Sequence, residues 1–171
     1  MEGVEIPNPN HFGDLNSFGG GAVTALSSQM LANSDFFTGA FPAEYNNALS
    51  GVFDIAMRTG NNEKREYTFQ VGTVGIDASS EGPFSKSGKS SYLFNYRYST
   101  FALLAPLLPE NAGGIKYQDL SFKLNFPTQK AGVFSFWGIG LADNAGAKAK
   151  IDSTEWEYAD DNETHDIKQY M

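Results

Sequence analysis

The feature that most constrains this chain is a series of segments with a two-residue repeat between Glu66 and Leu141. In Glu66–Val71, apolar Tyr67, Phe69 and Val71 alternate with Thr68 and Gln70. Past Gly72-Thr73 the phase flips, with Val74, Ile76 and Ala78 apolar and Asp77 and Ser79 polar. Tyr92, Phe94, Tyr96 and Tyr98 then alternate with Leu93, Asn95, Arg97 and Ser99. Leu120, Phe122, Leu124 and Phe126 alternate with Asp119, Ser121, Lys123 and Asn125. Successive side chains of a strand point to opposite faces, so this period specifies strands with one aromatic and one polar face. The phase flip beside Gly72 and Gly75 predicts a tight turn between two strands, because a slip of one residue exchanges the faces. Val133–Leu141, with Trp137, reads as another strand, apolar on both sides. The predicted links are Gly72–Gly75, Glu81–Ser90, Ala105–Gly114, Pro127–Ala131 and Ala142–Thr154, with a further strand at Glu155–Tyr158.

Such strands suit two environments. In a soluble sandwich the aromatic face packs on a second sheet. In an outer-membrane barrel it faces lipid and the polar face lines the interior. Composition narrows the partners without choosing between these. A net charge of −8 excludes a basic nucleic-acid footprint, and the absence of Cys excludes disulfides and thiolate metal sites. No stretch reaches the ~20 apolar residues of a transmembrane helix, but barrel strands carry only a weak hydropathy signal.

The first part of the chain is built differently. Met1–Gly21 is rich in turn formers and reads as loop, Ala22–Leu31 as a short helix or strand, and Ser34–Thr38 as a strand. Thr38–Gly60 runs from a Gly turn through about one helical turn (Ala43–Leu49) and a Ser50-Gly51 hinge into a half-buried strand, Val52–Arg58. The charged linker Asn61–Arg65 is the best boundary, dividing the chain into 1–62 and 63–171. His11 has no second ligand at metal spacing and reads as a loop residue. Asp54 reads as the polar face of its strand, and Glu44 with Asp54 carries no acid/base signature. The tail, with Asp160, Asp161, Glu163, His165 and Asp166, lacks Ca²⁺-loop spacing and reads as a solvated loop.

The order of Thr38–Gly60 resembles the segment that ends the plug domain in TonB-dependent outer-membrane receptors. There a G-x-x-x-A-x-Y-G-x-x-x-(G/S)-G-V-x-x-x-x-x-(K/R)-x-G pattern leads into the barrel. Gly39, Ala43, Tyr45, Ser50, Gly51, Val52, Arg58 and Gly60 fill the matching slots, while Asn46 stands where the family usually has Gly. EGVEIPNPNHF resembles a mid-plug strand and loop, and REYTFQVG, EGPF, SYLFNYRYST and KYQDLSFKLNFP resemble first barrel strands. The resemblance spans roughly residues 1–158. It implies a mainly β fold: the C-terminal part of a plug (1–62), then antiparallel meander strands of an incomplete transmembrane barrel (63–171). The plug ending differs from the Ala-Ser-Ala-x-Tyr-Gly run usual in the starch-utilisation subfamily, so glycan import is not implied.

On that resemblance the longer links fall on the outer side of the membrane and shorter ones on the periplasmic side, apart from the first. The N-terminus carries no signal peptide, so the expectation is an internal piece of a longer receptor. The intact protein would sit in the cell outer membrane and import a small nutrient, drawing on TonB through an N-terminal part that this chain lacks. Alone the piece would not transport, would meet outer-membrane lipid, and would oligomerise through its open strand edges. Asn95 and Arg97 would face the lumen. No cofactor, metal or catalytic residue is implied, and the chain lacks G-x-S-x-G and phosphate-loop motifs. The alternative is a soluble β-rich surface binding module using its exposed Tyr and Trp.

Overall fold

The computed structural model describes residues 1–6, 8–13, 21, 23–45, 48, 51–86, 88–100, 104, 115–147 and 165–171. Its described strands are β1 (Asn10–His11), β2 (Val23–Thr24), β3 (Asp35–Phe37), β4 (Val52–Asp54), β5 (Glu66–Val71), β6 (Gly75–Pro83), β7 (Ser91–Ser99), β8 (Ile115–Pro127), β9 (Val133–Ala147) and β10 (His165–Tyr170). The protein is mainly β, and its paired strands are antiparallel. Strands β10-β9-β8-β7-β6-β5 form one six-stranded sheet, while β1-β2 and β3-β4 are separate two-stranded ladders. No helix among the described residues is long and apolar enough to cross a membrane, which says nothing of strands.

The meander follows the two-residue repeat. The tight turn at Gly72–Gly75 is present, closed by the Gly72 N–H donating to the Gly75 carbonyl at 2.9 Å. Between β8 and β9 the chain turns through Gly132 at φ +84°, a left-handed conformation that glycine adopts without a Cβ penalty. Thr128 braces that turn, its hydroxyl donating to the Gly132 carbonyl at 2.7 Å.

Several predicted boundaries are corrected. Strand β6 continues through Glu81-Gly82-Pro83, so the link to β7 is 84–90 rather than Glu81–Ser90. Strand β9 runs past Leu141 to Ala147, because Ala142–Ala147 pair with both β8 and β10. His165 and Asp166 begin a sixth strand instead of lying in a loop, and Asp166 accepts from Asn144 across the ladder. Pairing supplies what hydrophobicity did not signal in these small and polar residues. The Ala105–Gly114 loop, the Glu155–Tyr158 strand, and Asp160, Asp161 and Glu163 lie outside the described residues.

The first segment differs too. Ala43-Glu44 form a turn, with the Tyr45 N–H donating to Pro42, where a helical turn was expected. The strand expected over Val52–Arg58 holds only as far as Asp54. Beyond it the Ser34 hydroxyl takes the Ala56 N–H at 3.2 Å, where a ladder carbonyl would otherwise act, and pairing resumes only at the Leu31–Met57 bridge. Ala22–Leu31 contributes just the two residues of β2 before turning.

The large sheet has its polar side covered and its apolar side bare. One face carries Tyr67, Phe69, Val71, Phe94, Tyr96, Leu120, Phe134 and Phe136, all exposed, with Tyr67 at 74% and Phe136 at 60%. The opposite face carries Asp77, Ser79, Glu81, Asn95, Asp119, Ser121, Lys123 and Asp143, all buried. What covers this polar face is the segment from Met1 to Gly60. Its Leu26, Met30 and Met57 pack on Leu93 of β7, with Trp137 and Ile139 of β9 against the same cluster. This explains why β9 is apolar on both sides: Trp137 and Ile139 face the covering segment, and Phe134 and Phe136 face outward.

Candidate functional site: a buried polar seam

The seam between the sheet and the covering segment is the most distinctive chemistry in the molecule. Cross-strand register builds it in rows. Asp77, Arg97, Asp119 and Leu141 stand side by side across β6 to β9, and the next row is Ser79, Asn95, Ser121 and Ile139. Because alternate residues share a face, Arg97 is held directly between two carboxylates, and its guanidinium pairs with Asp119 at 2.8 Å.

His11, fully buried, enters from β1 and is the centre of this network. Its Nε2 lies 2.9 Å from Asp119 Oδ2 and its Nδ1 lies 3.2 Å from Asp143 Oδ2. Each ring nitrogen thus lies within hydrogen-bond distance of a carboxylate oxygen from a different strand of the sheet. The Phe12 N–H donates to the same Asp143 oxygen at 3.0 Å. Arg97 also donates to the Thr24 carbonyl and lies 5.6 Å from the centre of the Tyr117 ring. Nothing local in the sequence revealed this role for His11, since its partners are 108 and 132 positions away.

Three further contacts stitch the seam. Arg58 grips Glu81 in a two-pronged arrangement, Nη1 to Oε2 at 3.0 Å and Nη2 to Oε1 at 2.7 Å, while the Asn61 N–H adds a third bond at 2.7 Å. Paired N–H bonds to one carboxylate fix orientation as well as charge. Lys123 reverses the polarity: it donates to Glu2 at 2.9 and 3.0 Å and to the Met57 carbonyl at 2.8 Å. Asp77 is held by neutral donors, Ser27 and Asn95, each at 2.6 Å. Buried charges left without such partners would be strongly destabilising, so each contact fixes the segment's position on the sheet.

The residues of the Thr38–Gly60 pattern divide into two groups. Gly39 and Ala43 are exposed in turns, Val52 pairs with Phe37, and Gly51 lies beside the Phe36 ring. Tyr45 donates its hydroxyl to Asp54 at 3.0 Å; loss of hydration first, and that carboxylate second, hold its pKa above the ordinary tyrosine value. These five lie around the β3–β4 ladder. Arg58 and Gly60 lie on the sheet itself, where a Cβ on Gly60 would come within 2.0 Å of the Tyr92 carbonyl oxygen. Ser50 and Asn46 fall outside the described residues. Asn95 and Arg97 are both on the covered face, Asn95 fully buried.

Beside the seam a cleft of about 620 Å³ is lined by Ser27, Gln70, Asp77, Arg97 and Tyr117. Among the described residues, no group of three or more His, Asp or Glu side chains could hold a metal ion. The seam can bind and orient one part of the chain against another. No family model, curated protein or solved structure matches this chain.

Proposed function

We propose that this chain is part of a TonB-dependent outer-membrane receptor, holding the C-terminal part of the plug (1–62) and the first strands of the barrel (63–171). The observation that carries the reading is the inverted sheet, whose aromatic face is bare and whose charged face is buried under the preceding segment. A protein folded in water loses free energy by exposing that many aromatic side chains, whereas a wall between lipid and a polar interior gains it. Three further features agree with it. Strands β8 and β9, at 13 and 15 residues, exceed the ~9–11 needed to span a bilayer. The two longest links, 100–114 and 148–164, leave the same end of the sheet, as extracellular loops do, while 84–90 and 128–132 leave the other; the short turn 72–74 departs from this pattern. The outward face also becomes polar toward one end, at Lys116, Asn144, Asp166 and Lys168, as a wall does where it leaves the apolar band.

In this reading the receptor imports a small nutrient and catalyses no reaction. TonB acts through the missing N-terminal part, and the seam holds the plug against the wall. Arg58 and Gly60 dock the end of the plug, and Asn95 and Arg97 face the lumen. The six strands of the sheet among the described residues do not close a barrel, which needs about eight or more, so in this reading the chain alone does not transport.

Native outer membranes probed with antibody to this chain test the proposal. The expected result is a heat-modifiable band far larger than 18.6 kDa. A water-soluble band at the chain mass would overturn it and favour a soluble β-rich binding module.

A further inference from the structure

Three polar atoms in the middle of the seam have no hydrogen-bond partner among the described residues: Asn95 Oδ1, Asp119 Oδ1 and Ser121 Oγ. All three residues are essentially inaccessible, at 0%, 2% and 1%. Buried polar atoms in folded proteins are almost always paired with protein or ordered water, so three orphans at one place call for an occupant. Register brings them together. Asn95 stands directly opposite Ser121 on the β7–β8 ladder, and Asp119 lies two residues before Ser121 on the same face. Directly opposed side chains have Cβ atoms ~5 Å apart, and neighbours two along a strand are roughly 7 Å apart, so the three atoms converge within reach of one small molecule.

The chemistry of these atoms identifies it. Asn95 Oδ1 must be the acceptor side of its amide, because the Nδ2 group donates to Asp77 at 2.6 Å. Asp119 Oδ1 accepts only, while its Oδ2 is already occupied by His11 and Arg97. The Ser121 hydroxyl donates. Two acceptors and one donor suit a single water, which donates two hydrogen bonds and has lone pairs to accept the third. A cation fits poorly, since Arg97 and His11 already face Asp119, and an anion would meet its carboxylate.

We propose that a buried water occupies this point, bridging β7 and β8 beneath the covering segment. Polar, enclosed sites with two to four partners are where proteins retain internal water. The assignment does not depend on the receptor reading. It makes the centre of the seam wet, so that separating the segment from the sheet would exchange hydrogen bonds with water already present.

A crystal structure of the protein at a resolution that shows ordered water, with and without a rubidium soak, tests the proposal. The expected result is one density peak, without anomalous signal, within about 2.6–3.2 Å of all three atoms. Ser121→Ala should keep that peak on its two remaining partners, and Ser121→Val, which fills the space, should lose it. No peak in the unmodified protein, with the three atoms bonded to protein groups instead, would overturn the assignment. An anomalous rubidium signal at the site would also overturn it, in favour of a cation.

Discussion

Gly60 and His11 are the residues on which the docking of the first segment most depends. A methyl group on Gly60 would meet the Tyr92 carbonyl at 2.0 Å, and a strand backbone inside a paired sheet cannot yield. Gly60→Ala should therefore cost about 1–3 kcal/mol, as overpacking does, seen as a lower urea midpoint in detergent. His11→Leu should cost more, about 3–5 kcal/mol, because it leaves Asp119 and Asp143 facing each other with Arg97 alone to balance them. Adding Asp143→Asn to that variant should recover part of the loss, a coupling that a double-mutant cycle measures. Tyr45 offers a pH test. Its raised pKa means the fold favours the neutral phenol, so its contribution is complete below pH ~10 and is lost as pH rises through the higher folded value. The stability gap between the native protein and Tyr45→Phe should accordingly narrow as pH rises above ~10. Of these residues, Gly60 and Tyr45 were singled out in the sequence as slots of the Thr38–Gly60 pattern, but not for the contacts they make. His11 was not, because a residue whose partners are fixed by strand register more than 100 positions away leaves no local mark.

At the level of elements, a single change distinguishes the two environments considered for the sheet. Phe94 and Phe122 stack across the β7–β8 ladder with ring centres 5.7 Å apart, in a string that also includes Tyr92, Phe84 and Phe126. Phe122→Arg should cost about 2–4 kcal/mol if that face lies in lipid near the bilayer midplane. On a sheet folded in water the same change should cost less, about 0.5–1.5 kcal/mol for the lost ring pair, and unfolding measured in bilayers against the native protein separates the cases. Period-two segments were readable because one face of each is uniformly apolar, as in β5, β7 and the middle of β8. The end of β9 and all of β10 escaped because Ala142–Ala147 are small or polar on both faces, and their neighbours in the sheet make them strand. The β3–β4 ladder was overestimated for the opposite reason. Alternation at Val52–Arg58 is genuine, but a side-chain hydroxyl from Ser34 interrupts the pairing that alternation alone would predict.

At the scale of the whole molecule, the polar seam and the bare aromatic face form one arrangement. A sheet with buried charges on one side and exposed rings on the other is stable only if something apolar covers the rings. The chain by itself, without detergent, should therefore sediment as oligomers through its open edges β5 and β10 or its aromatic face, and detergent should disperse them. The sharpest test of the account is spin-label accessibility along β7 in membranes carrying the protein, with single cysteines introduced from Leu93 to Tyr98 into a chain that has none of its own. Labels at Phe94, Tyr96 and Tyr98 should be reached by oxygen and not by a water-soluble nickel complex, while labels at Leu93, Asn95 and Arg97 should be shielded from oxygen. Loss of that two-residue alternation, or aromatic positions open to the nickel complex, would contradict a wall that faces lipid.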